Sequence, residues 1–428
     1  MPHQRIRLQN TRDGTMFPDL DYTVSRAVRA GNNVFLQGQT GITLDGEGFL
    51  GRGDPAAQAD NAMRCVKALL EEVGARIEDI CKITTYVTDA SYRPQIYPVL
   101  ARHLGGTHPS STGLVVKALA EPHIDFELDV FAVVPESRPQ TQAAEELQAS
   151  HLRFRQGDGK GSDLLRGLGF RGSSAVRAGR MVYVTGATGI ALDSGEFVGE
   201  GDPAAQADNA MRVVRVLLEE AGSRMEDICK VVTYVTKHSY RKDVYPVLAR
   251  HLKGIKPVST GLVITALAAP VIDFEIDVFS VIPEEGKEHR RIGLINTNTP
   301  EAVDPAFPGL DHGLARAVRA GDLVYLQGQT GRTFGGGFVG RGDPAAQADN
   351  AMQCVKTLLE EVGARMEDIC KVTTYVTDVT FRQSVYPVLA DHLKGVNPVS
   401  TGLVVEDFGH PDVDFEIDVF ASVPEDRA

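Results

Sequence analysis

Gly53-Asp-Pro-Ala-Ala-Gln-Ala-Asp-Asn-Ala-Met63 returns unchanged at Gly201–Met211 and at Gly342–Met352. Identity spreads outward from this block. AVRAG begins at Ala27, Ala175 and Ala317, YPVLA at Tyr97, Tyr245 and Tyr386, STGLV at Ser111, Ser259 and Ser400, and DFE(L/I)DVF at Asp125, Asp273 and Asp414. The second copy is offset by 148 residues from the first, and the third by 289 or 290, so the register is nearly free of gaps. So long a period means three domains rather than a solenoid, whose units run to roughly 20–50 residues. Domains are expected at 1–136, 150–284 and 290–428. The linkers, at about 137–149 and 285–289, fall in stretches rich in Gly, Pro, Gln and charge.

The same block reads as a helix start. Asp54 stands at the N-cap and Pro55 at the first helical position, and Ala59, Ala62, Met63, Val66, Leu69, Leu70 and Val73 then fall on one face at helical spacing. Before it, apolar alternation marks a strand at Asn33–Gln37, followed by a Gly-rich turn. After it come a strand over 80–87, a second helix over 92–104, and closing strands over 112–116 and 125–133. With a variable first strand and the AVRAG strand, each copy is an α+β module of order β-β-β-α-β-α-β-β, one mixed sheet with both helices on one face. The other sheet face would be left bare in a lone copy. Three equal copies cover it by closing a pseudo-threefold ring, an intramolecular trimer with ligand clefts between copies.

Composition narrows the function. With 43% hydrophobic and 24% charged residues, the chain of 428 residues is an ordinary folded one. No apolar run approaches the ~20 residues of a membrane helix, and the polar N-terminus lacks a signal core, so a cytoplasmic protein without membrane partners is expected. Five cysteines without a CxxC pair suggest neither disulfides nor zinc, and no cofactor or metal is expected. A formal charge of −13 works against nucleic-acid binding, leaving a small molecule as the expected partner. The ring is expected to stand alone or to pair with a second ring.

Through FLQGQTG, the AQADNAM helix, DICKITTYVTD and the closing PxST…FELDVFAVVP, each copy resembles the YjgF/RidA family, also called endoribonuclease L-PSP, almost end to end. The resemblance implies small homotrimers of a chorismate-mutase-like fold that hydrolyse enamines and imines to ketones and ammonia in clefts between subunits. It also implies an Arg, two positions after a Pro, clamping the substrate carboxylate; Ser111, Ser259 and Ser400 stand there instead. A hydroxyl offers one neutral hydrogen bond where guanidinium offers a charged pair, which points away from carboxylate-bearing imines. The family's acid near the C-terminus falls on Asp129, Asp277 and Asp418. Its substrate-contacting Asn is replaced by Tyr97, Tyr245 and Tyr386, and a Ser before the GQ pair by Gln37 and Gln327.

Read from the residues alone, Asp125, Glu127 and Asp129 alternate onto one strand face, as do their copies, which include Glu275 and Glu416. Crowded carboxylates raise one another's pKa and so suit general acid or base work. The competing reading pairs them with Arg or Lys across the interface between copies. Ser111 and its copies offer hydrogen bonds to a ligand carbonyl, or ordinary strand-end chemistry. His103, His251 and His392 fit a helix C-terminal dipole better than metal ligation. Cys81, Cys229 and Cys370 read as buried and inert.

The copies also differ. Copies one and three share Gln37/Gln327, Gln39/Gln329, Arg26/Arg316, Arg52/Arg341 and Asp89/Asp378, where copy two has Thr185, Ala187, Ser174, Glu200 and Lys237. Clefts walled by the glutamines are therefore expected to work and the Thr185/Ala187 cleft to be silent, with drift after fusion as the alternative. Three functions compete: a hydrolase or deaminase acting on a C–N bond of a small polar substrate, with Asp129-type carboxylates moving the proton; a non-catalytic binding or chaperone-like module; and a ribonuclease, which the acidic balance disfavours.

Overall fold

The computed structural model describes residues 3–13, 19–136, 151–156, 170–293 and 313–427. The linker expected at about 137–149 lies outside them; at the other, Lys287 N–H donates to Glu284 O (2.9 Å) in a turn just before the next strand.

In the first module β1 (Gln4–Asn10), β2 (Thr23–Ala30) and β3 (Asn33–Leu36) precede α1 (Pro55–Glu72), and β4 (Ile80–Val87), α2 (Arg93–Leu104), β5 (Ser110–Val115) and β6 (Phe126–Val133) follow. The sheet order is β1-β2-β3-β6-β4-β5, with β4 and β5 parallel and the other neighbours antiparallel. The second module repeats this with β7 (His151–Gln156), β8 (Ser173–Ala178), β9 (Met181–Ala187), α3 (Pro203–Glu220), β10 (Ile228–Val235), α4 (Arg241–His251), β11 (Val258–Val263) and β12 (Phe274–Val281). The third does so with β13 (Arg290–Ile292), β14 (Ala317–Ala320), β15 (Leu323–Leu326), α5 (Pro344–Glu361), β16 (Ile369–Val376), α6 (Arg382–His392), β17 (Val399–Val404) and β18 (Phe415–Ser422).

Local chemistry starts the helices where the sequence places them. Asp54 Oδ1 accepts from Ala57 N–H at 3.0 Å, and Asp202 does the same for Ala205. The apolar stripe of α1 then packs with Phe126, Leu128 and Val130 of β6 in one buried cluster per module. The opposite sheet face of every module feeds a single shared core. At its centre Phe131, Phe279 and Phe420, one from each module, meet with ring centroids 5.4–5.5 Å apart. The bare face expected from the sequence is thus covered by the other two copies, and the pseudo-threefold ring closes within one chain.

Backbone bonds stitch the seams in the same cyclic sense. Ser173 N–H donates to Pro109 O, Ala315 N–H to Pro257 O and Ser25 N–H to Pro398 O, each at 3.0 Å. Among the described residues no helix is long and apolar enough to cross a membrane.

Candidate functional site

Along β6 the side chains alternate. Phe126, Leu128 and Val130 go under the helices, while Glu127, Asp129 and Phe131 go to the seam. Asp125 stands just before the strand, held by Thr88 Oγ1 (3.4 Å) and by Gln58 Nε2 of α1 (3.1 Å), so the expected trio of carboxylates is a pair.

The two members of that pair have different surroundings. Lys371 of β16 reaches across the third–first seam to Asp129 Oδ1 at 2.9 Å, and Thr401 donates to the same oxygen at 2.6 Å. Tyr86 donates to Oδ2 at 3.3 Å. Lys82 meets Asp277 at 2.9 Å and Lys230 meets Asp418 at 3.0 Å in the other two seams, with Thr112 and Thr260 as further donors. Each lysine also sits 5.8–5.9 Å over an axial phenylalanine. For Asp129, Asp277 and Asp418 the geometry thus realises the pairing reading across the interface, and both oxygens of each carboxylate accept from protein donors.

Glu127 lies one turn of the pleat away and has no lysine. Its Oε2 meets no hydrogen-bond partner among the described residues. Burial, then the nearby Asp129, pushes its carboxyl up to about 8, with Arg382 and Lys371 acting in the opposite sense. Glu275 and Glu416 are pushed up to about 8 by the same causes, opposed by Lys82 and Arg93 and by Lys230 and Arg241. A glycine makes room for each: a Cβ on Gly38 would lie 1.8 Å from Glu127 Oε1, and one on Gly186 or Gly328 would lie 1.7 Å from its glutamate.

Close enough to act on each glutamate's charge across its seam is an arginine from the first turn of the neighbour's second helix: Arg382 for Glu127, Arg93 for Glu275 and Arg241 for Glu416. All three are buried, at 2%, 3% and 5% exposure. The sequence reading missed them. Their signal was an Arg four residues before each YPVL tyrosine; the buried lysine of DICK, inside an otherwise apolar strand, was equally visible in all three copies.

Of the expected ligand contacts, the tyrosines come to the seams. The Tyr97 ring lies tilted against Phe170 of the second module, centroids 5.8 Å apart, and its hydroxyl, like those of Tyr245 and Tyr386, hangs over the glycine of STGLV. Ser111 contributes its backbone, its O accepting from Thr185 Oγ1 at 2.6 Å; Ser400 O likewise accepts from Gly38 N–H at 3.3 Å. Ser259 occupies the same β-strand position, opposite Val231. Gln37 Oε1 is buried without a partner among the described residues.

Gln39 and Arg26 are a correction. Gln39 lies opposite Leu128, whose side chain packs under the helices, and is taken by Arg26 Nη2 (3.2 Å) and Gln37 O (2.7 Å) inside its own module. Gln329 likewise donates to Gln327 O (2.7 Å), and Arg316 turns to Phe334, so none of the four reaches the seam. The helix-end histidines tie α2 to α1-type helices through Asp60, Asp208 and Asp349 at 2.7–2.8 Å. Cys81, Cys229 and Cys370 are buried, which pushes each thiol up to about 12. No group of three or more His, Cys, Asp or Glu able to hold a metal occurs among the described residues.

A ring of three α+β modules closed around one shared core, with a buried glutamate and a buried arginine in every seam, defines the class of protein. The family profile described as Endoribonuclease L-PSP matches residues 19–134, 171–282 and 308–423, and the chain belongs to that family. A RutC family protein of Pyrococcus abyssi is 32% identical over 96 residues, covering 22% of this chain and 74% of its own length. The 2-iminobutanoate/2-iminopropanoate deaminase of Dermatophagoides farinae is 27% identical over 95 residues, covering 22% of this chain and 73% of its own. A solved chorismatase, 13% identical, aligns over 81% of this chain and 93% of its own with a TM-score of 0.51, a likeness of fold.

Proposed function

We propose that the chain is a hydrolase of the deaminase type, cleaving a C–N bond of a small polar imine or enamine in its inter-module clefts. The observation that carries this reading is the buried carboxyl of Glu127, Glu275 and Glu416, which burial pushes up to about 8 while an arginine of the neighbouring module acts in the opposite sense. The kinship with an imine deaminase supports it.

The chemistry needs a group that first gives and then takes a proton. A neutral glutamic acid protonates the imine nitrogen, making the carbon electrophilic. The resulting carboxylate accepts a proton from water as its oxygen attacks. The carbinolamine then collapses to a carbonyl compound and ammonia. Arginine opposite the glutamate steadies the carboxylate while it is charged, and the tyrosine hydroxyl orients the ligand. The role assigned from the sequence to Asp129 passes to Glu127, because both oxygens of Asp129 already accept from Lys371, Thr401 and Tyr86, whereas Glu127 Oε2 has no partner among the described residues.

Ammonia release from a panel of small imines and enamines tests the proposal. Turnover abolished by Glu127→Gln, Glu275→Gln and Glu416→Gln together, in a chain that stays folded, is the expected result. Undiminished turnover in that triple variant sinks the assignment, and ligand binding without turnover across the panel favours a binding module.

A further inference from the structure

The three seam arginines are equivalent in sequence position but not in what holds them. Arg93 Nη1 donates to Leu267 O of the second module (2.7 Å) and Nη2 to Gly113 O (3.1 Å). Arg382 repeats this with Leu119 O of the first module (3.2 Å) and Gly402 O (2.7 Å). Each of these guanidinium groups is clamped between carbonyls of both modules.

Arg241 is not. Its Nε and Nη1 meet no hydrogen-bond partner among the described residues, although the side chain is only 5% exposed, and its Nη2 turns to the Tyr245 hydroxyl. The cause lies in the loop of the third module that faces it. Where the other copies have Leu119-Ala120 and Leu267-Ala268, this loop has Phe408-Gly409. A Cβ on Gly409 would stand 2.5 Å from Arg241 Nη2 and 3.1 Å from Cζ, so the guanidinium occupies space that an alanine methyl would claim. Asp407 of the same loop accepts from Phe408 N–H at 2.7 Å and lies 2.8 Å from His238 Nδ1.

A buried cation with open N–H donors is costly unless something charged and planar meets them. Guanidinium satisfies that need best with an oxyanion held by two parallel hydrogen bonds. We infer that the cleft between the second and third modules is the one anion-binding cleft of the chain, and that Arg241 grips a carboxylate or comparable oxyanion of a small ligand there. The inference rests on the reading of the seams as ligand clefts and narrows it to one cleft and one ligand class. Its other wall carries Glu416, so an anion on Arg241 sits beside the glutamic acid assigned the proton transfer.

Pyruvate is a suitable probe, because it joins a carboxylate to the carbonyl that C–N hydrolysis leaves behind; acetone carries the carbonyl alone. Titration calorimetry on the full chain is expected to give one pyruvate per chain, and a soaked crystal to place its carboxylate on Arg241. Acetone should bind at least about tenfold more weakly. Arg241→Gln should weaken pyruvate by about tenfold or more. Gly409→Ala, which puts a methyl where the guanidinium lies without changing any charge, should do the same. Equal occupancy of all three clefts, no binding at millimolar pyruvate, or binding indifferent to both variants in folded chains would overturn the inference. Pyruvate bound at Arg241 by a chain that releases no ammonia would leave it standing and sink the hydrolase reading. Turnover of neutral imines without pyruvate binding would do the reverse.

Discussion

Lys371 Nζ and Asp129 Oδ1, 242 residues apart in sequence, lie 2.9 Å from each other across the seam that closes the ring. Both side chains are buried, at 1% and 4% exposure. Removing one partner of such a pair strands the other charge, at a cost of about 3–5 kcal/mol. Asp129→Asn is therefore expected to act on stability before chemistry, lowering the urea midpoint of the whole chain. A midpoint equal to that of the parent chain would contradict the pairing.

Glu127, Glu275 and Glu416 give stability a pH dependence of unusual sign for carboxyls. Their folded values of about 8 lie above the ordinary 4.5, so the folded chain holds protons that the unfolded chain has lost. Their contribution is complete below pH 4.5 and disappears as pH rises through about 8. Thermal melts should show a lower Tm at pH 9 than at pH 6, and the triple Glu→Gln variant should flatten that slope. Ammonia release, if Glu127 is the acid, should decline over the same alkaline range.

Gly38 has no side chain because Glu127 occupies the space: a Cβ there would lie 1.8 Å from Oε1. Its φ is not in the left-handed region, so alanine is tolerated by the backbone but evicts the carboxyl. Gly38→Ala should remove most of the activity of the third–first cleft while shifting the denaturation midpoint little. The double readout separates eviction from misfolding.

Phe131 sits between Phe279 and Phe420 on the axis, at centroid distances of 5.5 and 5.4 Å. Phe131→Ala opens a cavity shared by all three modules and should cost about 3–5 kcal/mol. Because the core is common, unfolding should remain one transition. Separate melting of one module would show that the modules are stabilised independently.

Much of the fold was legible because its signals are local. The GDPAAQADNAM repeat carries its own cap in Asp54 and Pro55, and the stripe from Ala59 to Val73 faces one way whatever surrounds it. The alternation in DFELDVF correctly sent Phe126 and Leu128 to the helices. Even the ring followed from a bare sheet face and three copies to cover it. The alternation also put Glu127 and Asp129 on one face, and it carries no information about which of them a lysine from another module would reach.

That choice is tertiary. Lys371 and Thr401 arrive at Asp129 from the third module, while Arg382 and the space left by Gly38 come to Glu127, and only closure of the ring decides between two carboxyls two residues apart. Gln39 shows the converse: its sequence kinship with Gln329 was real, but pairing opposite Leu128 and Ile417 respectively turned both inward. Arg241 is set apart from Arg93 and Arg382 by Gly409 on a different module, whose missing methyl leaves room for the guanidinium. Sequence by itself determined the repeat, the elements and their buried faces, which depend on periodicity and capping within a few residues. Tertiary structure decided which carboxyl is paired with a lysine and which is buried without one, because burial and charge at the seams are set by groups hundreds of residues away.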